Sequence, residues 1–179
     1  MEPLAWSDFF DTFDKIDDTV PIYTAGNSGI VYICLHGAGH SAMSFACLAA
    51  QLKTDSTVVA FDFRGHGKHY CEDETNMAQE TLIDDTLNVI KYVHKKYPER
   101  TLCIVGHSMG GSIATKTAHK IEQEYAEEAL GKAVAALYVI DVVEGSAMDA
   151  LPFMEQIAKN RPVHFPDLKS VIRYGVQSG

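Results

Sequence analysis

The stretch Leu102-Cys103-Ile104-Val105-Gly106-His107-Ser108-Met109-Gly110 decides the fold. Its four apolar residues, typical of a buried strand, lead into a G-x-S-x-G motif, and a helical pattern begins directly after the serine. In such a strand, turn and helix the serine occupies a sharp, strained turn at the carboxyl edge of a sheet, and the glycines let neighbouring backbone approach. The motif alone is modest evidence, and an ordinary turn serine is the alternative. Its context predicts Ser108 as a nucleophile.

Apolar strand-like runs and amphipathic helical patterns alternate after the first 25 residues. The predicted strands, interpreted as mostly buried on both faces, are Ile30–Leu35, Thr57–Phe63, Thr101–Val105 and Ala133–Ile140. The predicted helices are Ser41–Lys53, Glu80–Tyr97, Met109–Glu128, one near Asp149–Lys159 and one from about Asp167. This order predicts an α/β fold with right-handed crossovers and a mostly parallel sheet covered by helices on both faces.

Together with the motif, this pattern predicts an α/β-hydrolase fold in a single domain over residues 1–179. Only four core strands are clear, with one or two further edge strands near the start. That is few for this architecture, so we expect the domain to be incomplete at its C-terminal side.

Composition limits the partners and the location. The formal net charge of -9 argues against nucleic acid and anionic membranes, which are bound by clusters of Lys and Arg. A small molecule or another protein is the expected partner. The chain has no secretory signal pattern and no apolar run of about 18 residues, so we predict a cytoplasmic protein. The nucleus is a second expected location.

The cysteines show no metal-binding pattern. Cys34, Cys47, Cys71 and Cys103 lack C-x-x-C spacing, and two of them lie in apolar runs. We interpret them as buried thiols in preference to a zinc site or a disulfide framework. We expect neither a metal nor a cofactor.

Backbone donors for an oxyanion are predicted at two places. The Met109 N–H lies at the start of the helix that follows Ser108, where the helix dipole also favours negative charge. The loop His36-Gly37-Ala38-Gly39 follows a strand and resembles the H-G-x-G oxyanion loop of esterases, with the Ala38 N–H as the preferred donor and Gly37 as the second choice. A phosphate-binding loop is the alternative, but no phosphate motif is present. We expect His36 to brace this loop, and the Asp62–Gly67 turn to be structural.

The acid of a catalytic triad is predicted from position. Asp141 follows the strand Ala133–Ile140, so it should lie at the same edge of the sheet as Ser108. The order Ser, Asp, His is the one this fold uses. Many hydrolases of this fold carry the acid one strand later, so Asp149 and Asp167 remain alternatives.

The base is harder to assign. Ester cleavage by serine needs a histidine that accepts the hydroxyl proton and passes it to the leaving group. Of eight histidines only His164 follows Asp141, between Pro162 and Pro166, too early for a further pair of strands to intervene. We expect His107 to point into the core beside its strand. No base is therefore assigned.

The chain resembles the protein phosphatase methylesterase family of α/β-hydrolases. The segments that carry the resemblance are His36–Phe45, Gly106–Gly111, Arg161-Pro162, Tyr174–Gly179 and, most specifically, Ile140–Leu151. The resemblance implies an esterase that removes the methyl group from the C-terminal leucine of the protein phosphatase 2A catalytic subunit, which would be both its substrate and its partner. Ser108 would be the nucleophile and Asp141 the acid.

The same resemblance implies that the triad histidine of the family lies beyond Gly179, so we expect a truncated and nearly inactive chain. It also implies glycine where this chain has Ala38, a small change if only the backbone N–H acts. Two alternatives stay open. One is a catalytically inactive short form that binds the phosphatase, and the other is a general small-molecule carboxylesterase.

Overall fold

The computed structural model describes residues 4–141, 152–153, 156, 159–160 and 162–178. The chain divides into two compact units. One comprises Ala5–Val142, and the other comprises Val143–Gly179 with Met1–Leu4. The interpretation of residues 1–179 as one domain stays a prediction.

The larger unit is built on a six-stranded sheet in the order β1-β2-β4-β3-β5-β6. The strands are β1 Thr12–Ile16, β2 Val20–Ala25, β3 Val31–Leu35, β4 Thr57–Phe61, β5 Leu102–His107 and β6 Val134–Ile140. β1 and β2 form an antiparallel hairpin at one edge, and β2 pairs antiparallel with β4. The other pairings are parallel, which confirms the predicted mostly parallel sheet and the edge strands near the start.

Helices follow the parallel strands. Short 3-10 helices span Trp6–Asp8 and Ala42–Phe45, and the α-helices of this unit are α1 Ala46–Leu52, α2 Gln79–Lys96, α3 Met109–Tyr125 and α4 Ala129–Ala133. In the other unit, α5 spans Leu168–Ser178. The helix predicted over Met109–Glu128 therefore ends earlier. The one predicted near Asp149–Lys159 falls largely outside the described residues.

Side chains alternate across the sheet and form a core on each face. On one face Ile33, Phe61 and Ile104 pack with residues of α2 and α3 such as Ile90 and Ile113. On the other face Cys34, Ala60 and Val105 pack with α1 and the 3-10 helix before it. Because strand residues alternate sides, continuous apolar runs are buried on both faces, as expected for the central strands.

The prediction that Ala133–Ile140 is a buried strand is wrong in its burial. β6 is the outermost strand of the sheet, and Tyr138, Val139 and Ile140 are 56, 43 and 47% exposed. A groove of about 530 Å³ beside β6 is lined by α3, including Ile121, and by Val134 and Leu137. The strand pairs only with β5, so its outer edge leaves backbone hydrogen-bonding groups unpaired within the described part of the sheet.

All four cysteines are free thiols. Cys34 and Cys103 are buried, and burial raises the pKa of both. Cys71 is partly exposed and Cys47 is exposed, so the expectation of buried thiols holds for two of the four.

Among the described helices, none combines the length and apolar character needed to cross a bilayer.

Candidate active site

Ser108 occupies the junction between β5 and α3. β5 ends at His107 and α3 begins at Met109, so the serine itself makes the turn. Its backbone has φ 51° and ψ -120°, a conformation that non-glycine residues seldom adopt. Strain of this kind costs about 1–3 kcal/mol and tends to occur at functional sites. The predicted strand, sharp turn and helix are confirmed.

Two glycines allow the turn to pack this tightly. A Cβ at Gly106 would lie 2.4 Å from the Gly110 carbonyl oxygen. A Cβ at Gly110 would lie 2.3 Å from the carbonyl oxygen of Leu35 and 2.5 Å from that of His36. The first turn of α3 therefore rests on the backbone of β3 and β5, and its N-terminus lies at Ser108.

The loop after β3 reaches the nucleophile. Gly37 is buried, and a Cβ placed on it would lie 3.2 Å from the Ser108 Cβ and 3.0 Å from the His107 Nδ1. The Ala38 N–H donates to no acceptor within the described residues, and the Met109 N–H is at the first position of a helix, where no intrahelical acceptor exists. Ala38, Gly37 and Met109 thus lie on the two segments beside Ser108, and their role as oxyanion donors stays a prediction.

Two imidazoles hold this loop in place. The buried His36 donates from Nδ1 to the Gly37 carbonyl oxygen at 2.8 Å and accepts the Phe63 N–H at Nε2 at 3.0 Å. Desolvation lowers the pKa of His36 to about 4, so the ring stays neutral. His66 accepts the Gly39 N–H at 3.0 Å and donates to the Arg64 carbonyl oxygen at 2.9 Å. The predicted bracing role of His36 is confirmed, and His66 is a second brace that the sequence did not suggest.

The turn after β4 is structural, as predicted. The buried Asp62 carboxylate accepts the Ala42 N–H at 2.7 Å and the Lys68 N–H at 2.9 Å. Arg64 makes a two-pronged contact with Asp85 on α2, at 2.6 and 2.9 Å. The Asp62 carboxylate and the Arg64 guanidinium therefore both hold the fold.

Asp141 lies next to the nucleophile. The Ser108 N–H donates to the Ile140 carbonyl oxygen at 2.9 Å, and His107 pairs with Ile140 in the sheet. Asp141 follows directly, with φ 53°, at the predicted edge of the sheet. Its role as triad acid stays a prediction. Of the alternatives, Asp149 lies outside the described residues, and Asp167 accepts the Ser170 N–H at the start of α5 in the other unit.

The expectation that His107 points into the core is wrong. Its imidazole is 28% exposed, its Nε2 lies 3.9 Å from the Asp141 Oδ2, and the ring stacks on His40 with centroids 5.6 Å apart. The physical reason is its place at the end of β5: strand residues alternate sides, so His107 lies on the same face as Val105, away from α3, and its ring meets Gly37 and His40 of the loop after β3. His164 belongs to the other unit.

A family model described as serine aminopeptidase, S33 (Hydrolase_4) matches residues 26–174. The chain belongs to this α/β-hydrolase family. Solved structures agree on the fold. The thioesterase domain from the curacin biosynthetic pathway is 22% identical with a TM-score of 0.66, covering 93% of this chain and 60% of that one. E-2-(acetamidomethylene)succinate hydrolase is 24% identical with a TM-score of 0.69, covering 89% and 54%.

Curated relatives within the α/β-hydrolases are more similar in sequence. A Caenorhabditis elegans protein named "Probable protein phosphatase methylesterase 1" is 41% identical over 186 residues, covering 100% of this chain and 48% of the relative. The Homo sapiens protein named "Protein phosphatase methylesterase 1" is 34% identical over 188 residues, covering 100% and 46%. The chain spans about half the length of the curated relatives it matches.

Proposed function

We propose that the protein is a serine carboxylesterase that demethylates the C-terminal leucine methyl ester of the protein phosphatase 2A catalytic subunit. The observation that carries the proposal is Ser108 itself. It occupies a strained turn against the N-terminus of α3, with Asp141 following the β6 residue whose carbonyl oxygen accepts the Ser108 N–H. The names of the relatives at 34–41% identity support the methyl ester as substrate.

The geometry supports acyl transfer. The Ser108 hydroxyl attacks the ester carbonyl, and the oxygen that becomes negative is stabilised by backbone N–H groups of Met109 and of Ala38 or Gly37, together with the dipole of α3. Methanol leaves as the acyl enzyme forms, and water then attacks the acyl carbonyl to free the carboxylate and the serine. A histidine oriented by Asp141 would carry the proton in both steps, and no histidine of this chain is assigned that role.

The proposal extends to partner and location. The phosphatase catalytic subunit is both the substrate and the binding partner, and we place the protein in the cytoplasm and also in the nucleus. No metal or cofactor enters the proposed chemistry, since serine, backbone amides and a proton carrier are sufficient for ester hydrolysis.

The test is demethylation of methylated phosphatase catalytic subunit by this chain, by its Ser108→Ala variant and by a matched control, Ser7→Ala, which changes an exposed serine in a 3-10 helix. Mass spectrometry of the phosphatase C-terminus measures methyl loss. Loss that depends on Ser108 and not on Ser7 supports the proposal, and loss that persists in Ser108→Ala refutes it.

Two further outcomes would each identify one of the alternative functions. Equal turnover of short acyl esters without any phosphatase identifies a general carboxylesterase. Binding to the phosphatase with no methyl loss and no modification of Ser108 identifies a binding protein without catalysis.

A further inference from the structure

The loop after β3 is bound to the turn after β4 through one imidazole. We propose that His66 is a positioning residue and a pH-dependent switch on this loop: the neutral ring holds the peptide between Ala38 and Gly39 as it stands, and the protonated ring favours the same peptide turned over. The inference rests on the proposed function, because it takes the loop as the source of an oxyanion donor.

Residues 37–40 form a type II turn. The His40 N–H donates to the Gly37 carbonyl oxygen at 3.2 Å, which closes the turn. At its centre Gly39 has φ 73°, whereas Ala38 is not among the residues with positive φ, and this combination is that of type II. A type I turn keeps the closing hydrogen bond but has its central peptide turned over, with negative φ at the third residue. Because glycine adopts either sign of φ, the contacts of the central peptide decide between the two turns.

His66 makes such a contact. The Gly39 N–H, which belongs to the central peptide, donates to the His66 Nε2 at 3.0 Å. A backbone N–H can only donate, so Nε2 carries a lone pair there. The proton of the neutral ring is then on Nδ1, which donates to the Arg64 carbonyl oxygen at 2.9 Å. Both contacts require the same neutral tautomer.

Protonation of His66 removes the acceptor. A proton on Nε2 would face the Gly39 N–H across 3.0 Å, one donor against another. Turning the central peptide over brings the Ala38 carbonyl oxygen to the place of the N–H, because the two groups point in opposite directions from one planar unit. The imidazolium then donates to that oxygen, and the hydrogen bond that closes the turn is kept. The two forms of the ring therefore favour different turns.

The neighbouring peptide of the loop is held by a brace that resists acid. His36 donates to the Gly37 carbonyl oxygen and so fixes the peptide that carries the Ala38 N–H, the predicted oxyanion donor. Desolvation lowers the pKa of His36 to about 4, so this ring stays neutral in mild acid. His66, by contrast, is only partly buried and is open to protons from solvent. Mild acid therefore acts on the loop through His66.

Other charged and titratable groups lie on the segments around His66. The His36 ring is 5.1 Å away between centroids, and the Arg64 guanidinium is paired with Asp85. The remaining groups are His40 of the loop after β3, Asp62, Lys68 and His69 of the turn after β4, and Asp73 and Glu74 of the segment that packs on Gly65 before α2. Imidazoles change charge between about pH 5 and 8, so His40 and His69 must be separated from His66 by experiment.

NMR spectra of the chain labelled with 15N at glycine, recorded from about pH 8 to about pH 5, test the proposal. The Gly39 amide signal should shift with pH. Its protection against hydrogen exchange, corrected for the intrinsic pH dependence, should fall about fivefold or more, the factor that a hydrogen bond of ordinary net strength gives. The cross-peak between the Ala38 Hα and the Gly39 amide proton should weaken, because these protons are close in a type II turn and farther apart in type I.

Substitutions identify the group that titrates. His66→Gln places a side-chain oxygen near the position of Nε2 that accepts at every pH, so Gly39 should stay protected and its signal should not titrate. His66→Ala removes the acceptor, so Gly39 should exchange rapidly at both ends of the pH range. The matched controls His40→Gln, His69→Gln and His119→Gln, the last on the exposed face of α3, should each keep the titration of the unaltered chain.

The outcomes that overturn the switch are specific. A Gly39 signal or an Ala38 to Gly39 cross-peak that does not change with pH in the unaltered chain overturns it, and so does a titration that persists in His66→Gln. The Gly111 N–H donates to the Ser108 carbonyl oxygen at 2.9 Å and is the internal reference. An equal loss of its protection would mean that the whole fold opens, and would overturn a local switch.

Failure of this inference and failure of the proposed function are distinguishable. The NMR experiment needs no substrate, so Ser108→Ala should show the same Gly39 titration as the unaltered chain. A chain that does not demethylate the phosphatase would refute the proposed function and leave the titration to be decided by itself. If circular dichroism shows that His66→Ala does not fold, His66→Gln decides.

Discussion

Mild acid should destabilise the fold through His36. The ring is fully buried and neutral, donating from Nδ1 to the Gly37 carbonyl oxygen and accepting the Phe63 N–H at Nε2. A second proton would have to occupy Nε2, where it would face the Phe63 N–H and place a charge in the core. Desolvation, as the largest cause, therefore lowers the pKa of His36 from 6.5 to about 4.

The sign and size follow from linkage. Between pH 6.5 and about 4 the unfolded chain binds a proton on this imidazole and the folded chain does not, so the free energy of unfolding falls as pH falls. The contribution of the neutral His36 to the free energy of unfolding is complete above pH 6.5 and lost near pH 4. That interval corresponds to about 3 kcal/mol at most.

Urea unfolding followed by the fluorescence of Trp6, the single tryptophan, measures this quantity. Trp6 packs on Phe13 and Tyr23 and so reports on the sheet. At neutral pH His36→Leu should be less stable by about 1–3 kcal/mol, because the Phe63 N–H loses its acceptor.

As the pH approaches about 4.5, the difference in unfolding free energy between the two chains should shrink or reverse. Only the unaltered chain binds a proton at position 36 when it unfolds, so only its stability falls for this reason. The exposed His119→Leu variant is the control and should follow the unaltered chain at each pH. A difference between His36→Leu and the unaltered chain that stays constant with pH would refute the reasoning.

Three further substitutions should follow from the site geometry, each measured by urea unfolding. Gly110→Ala should cost about 2 kcal/mol or more, because its Cβ would lie 2.3 Å from a backbone oxygen that cannot move aside. The control Gly175→Ala, with open space around it, should change stability by less than about 1 kcal/mol. Equal effects would contradict the packing of α3 on β3. Arg64→Lys should cost about 1 kcal/mol, because a single ammonium cannot make both contacts to Asp85, and no change would show that the second contact is without effect. Ser108→Gly should be about 1 kcal/mol more stable than Ser108→Ala, because glycine tolerates φ 51° and alanine does not; a more stable alanine variant would show that the turn is not strained.

The elbow could be predicted from sequence because its causes are local. A strand, two small residues and a helical pattern within ten positions define the turn, and the structure places Ser108 in it. The bracing role of His36 was also accessible, since it ends an apolar strand next to a glycine loop. His66 was not, because its partner Gly39 lies 27 residues earlier in the chain and only the fold brings them together.

The burial of β6 could not be predicted for a related reason. Val134–Ile140 is an apolar run like Val31–Leu35, and the pattern of either is typical of a strand buried on both faces. Which strand lies in the middle depends on strand order. β3 has neighbours on both sides, whereas β6 pairs, among the described residues, with β5 alone, so the same pattern gives a buried strand in one case and an exposed edge in the other.

The histidines show why sequence could not decide which imidazoles hold the fold together. His36 ends an apolar strand beside a glycine loop, so its bracing role could be expected, but the sequence neighbourhoods of His66 and His107, each beside a glycine, do not show what their ring nitrogens contact. What separates them is the occupation of their ring nitrogens. An imidazole with both nitrogens bound to backbone can take a proton only by breaking a hydrogen bond that holds the loop, so His36 and His66 are committed to structure. His107 stacks on His40 and lies 3.9 Å from the Asp141 carboxylate, and within the described residues neither of its ring nitrogens is bound to backbone, so it does not share the bracing role.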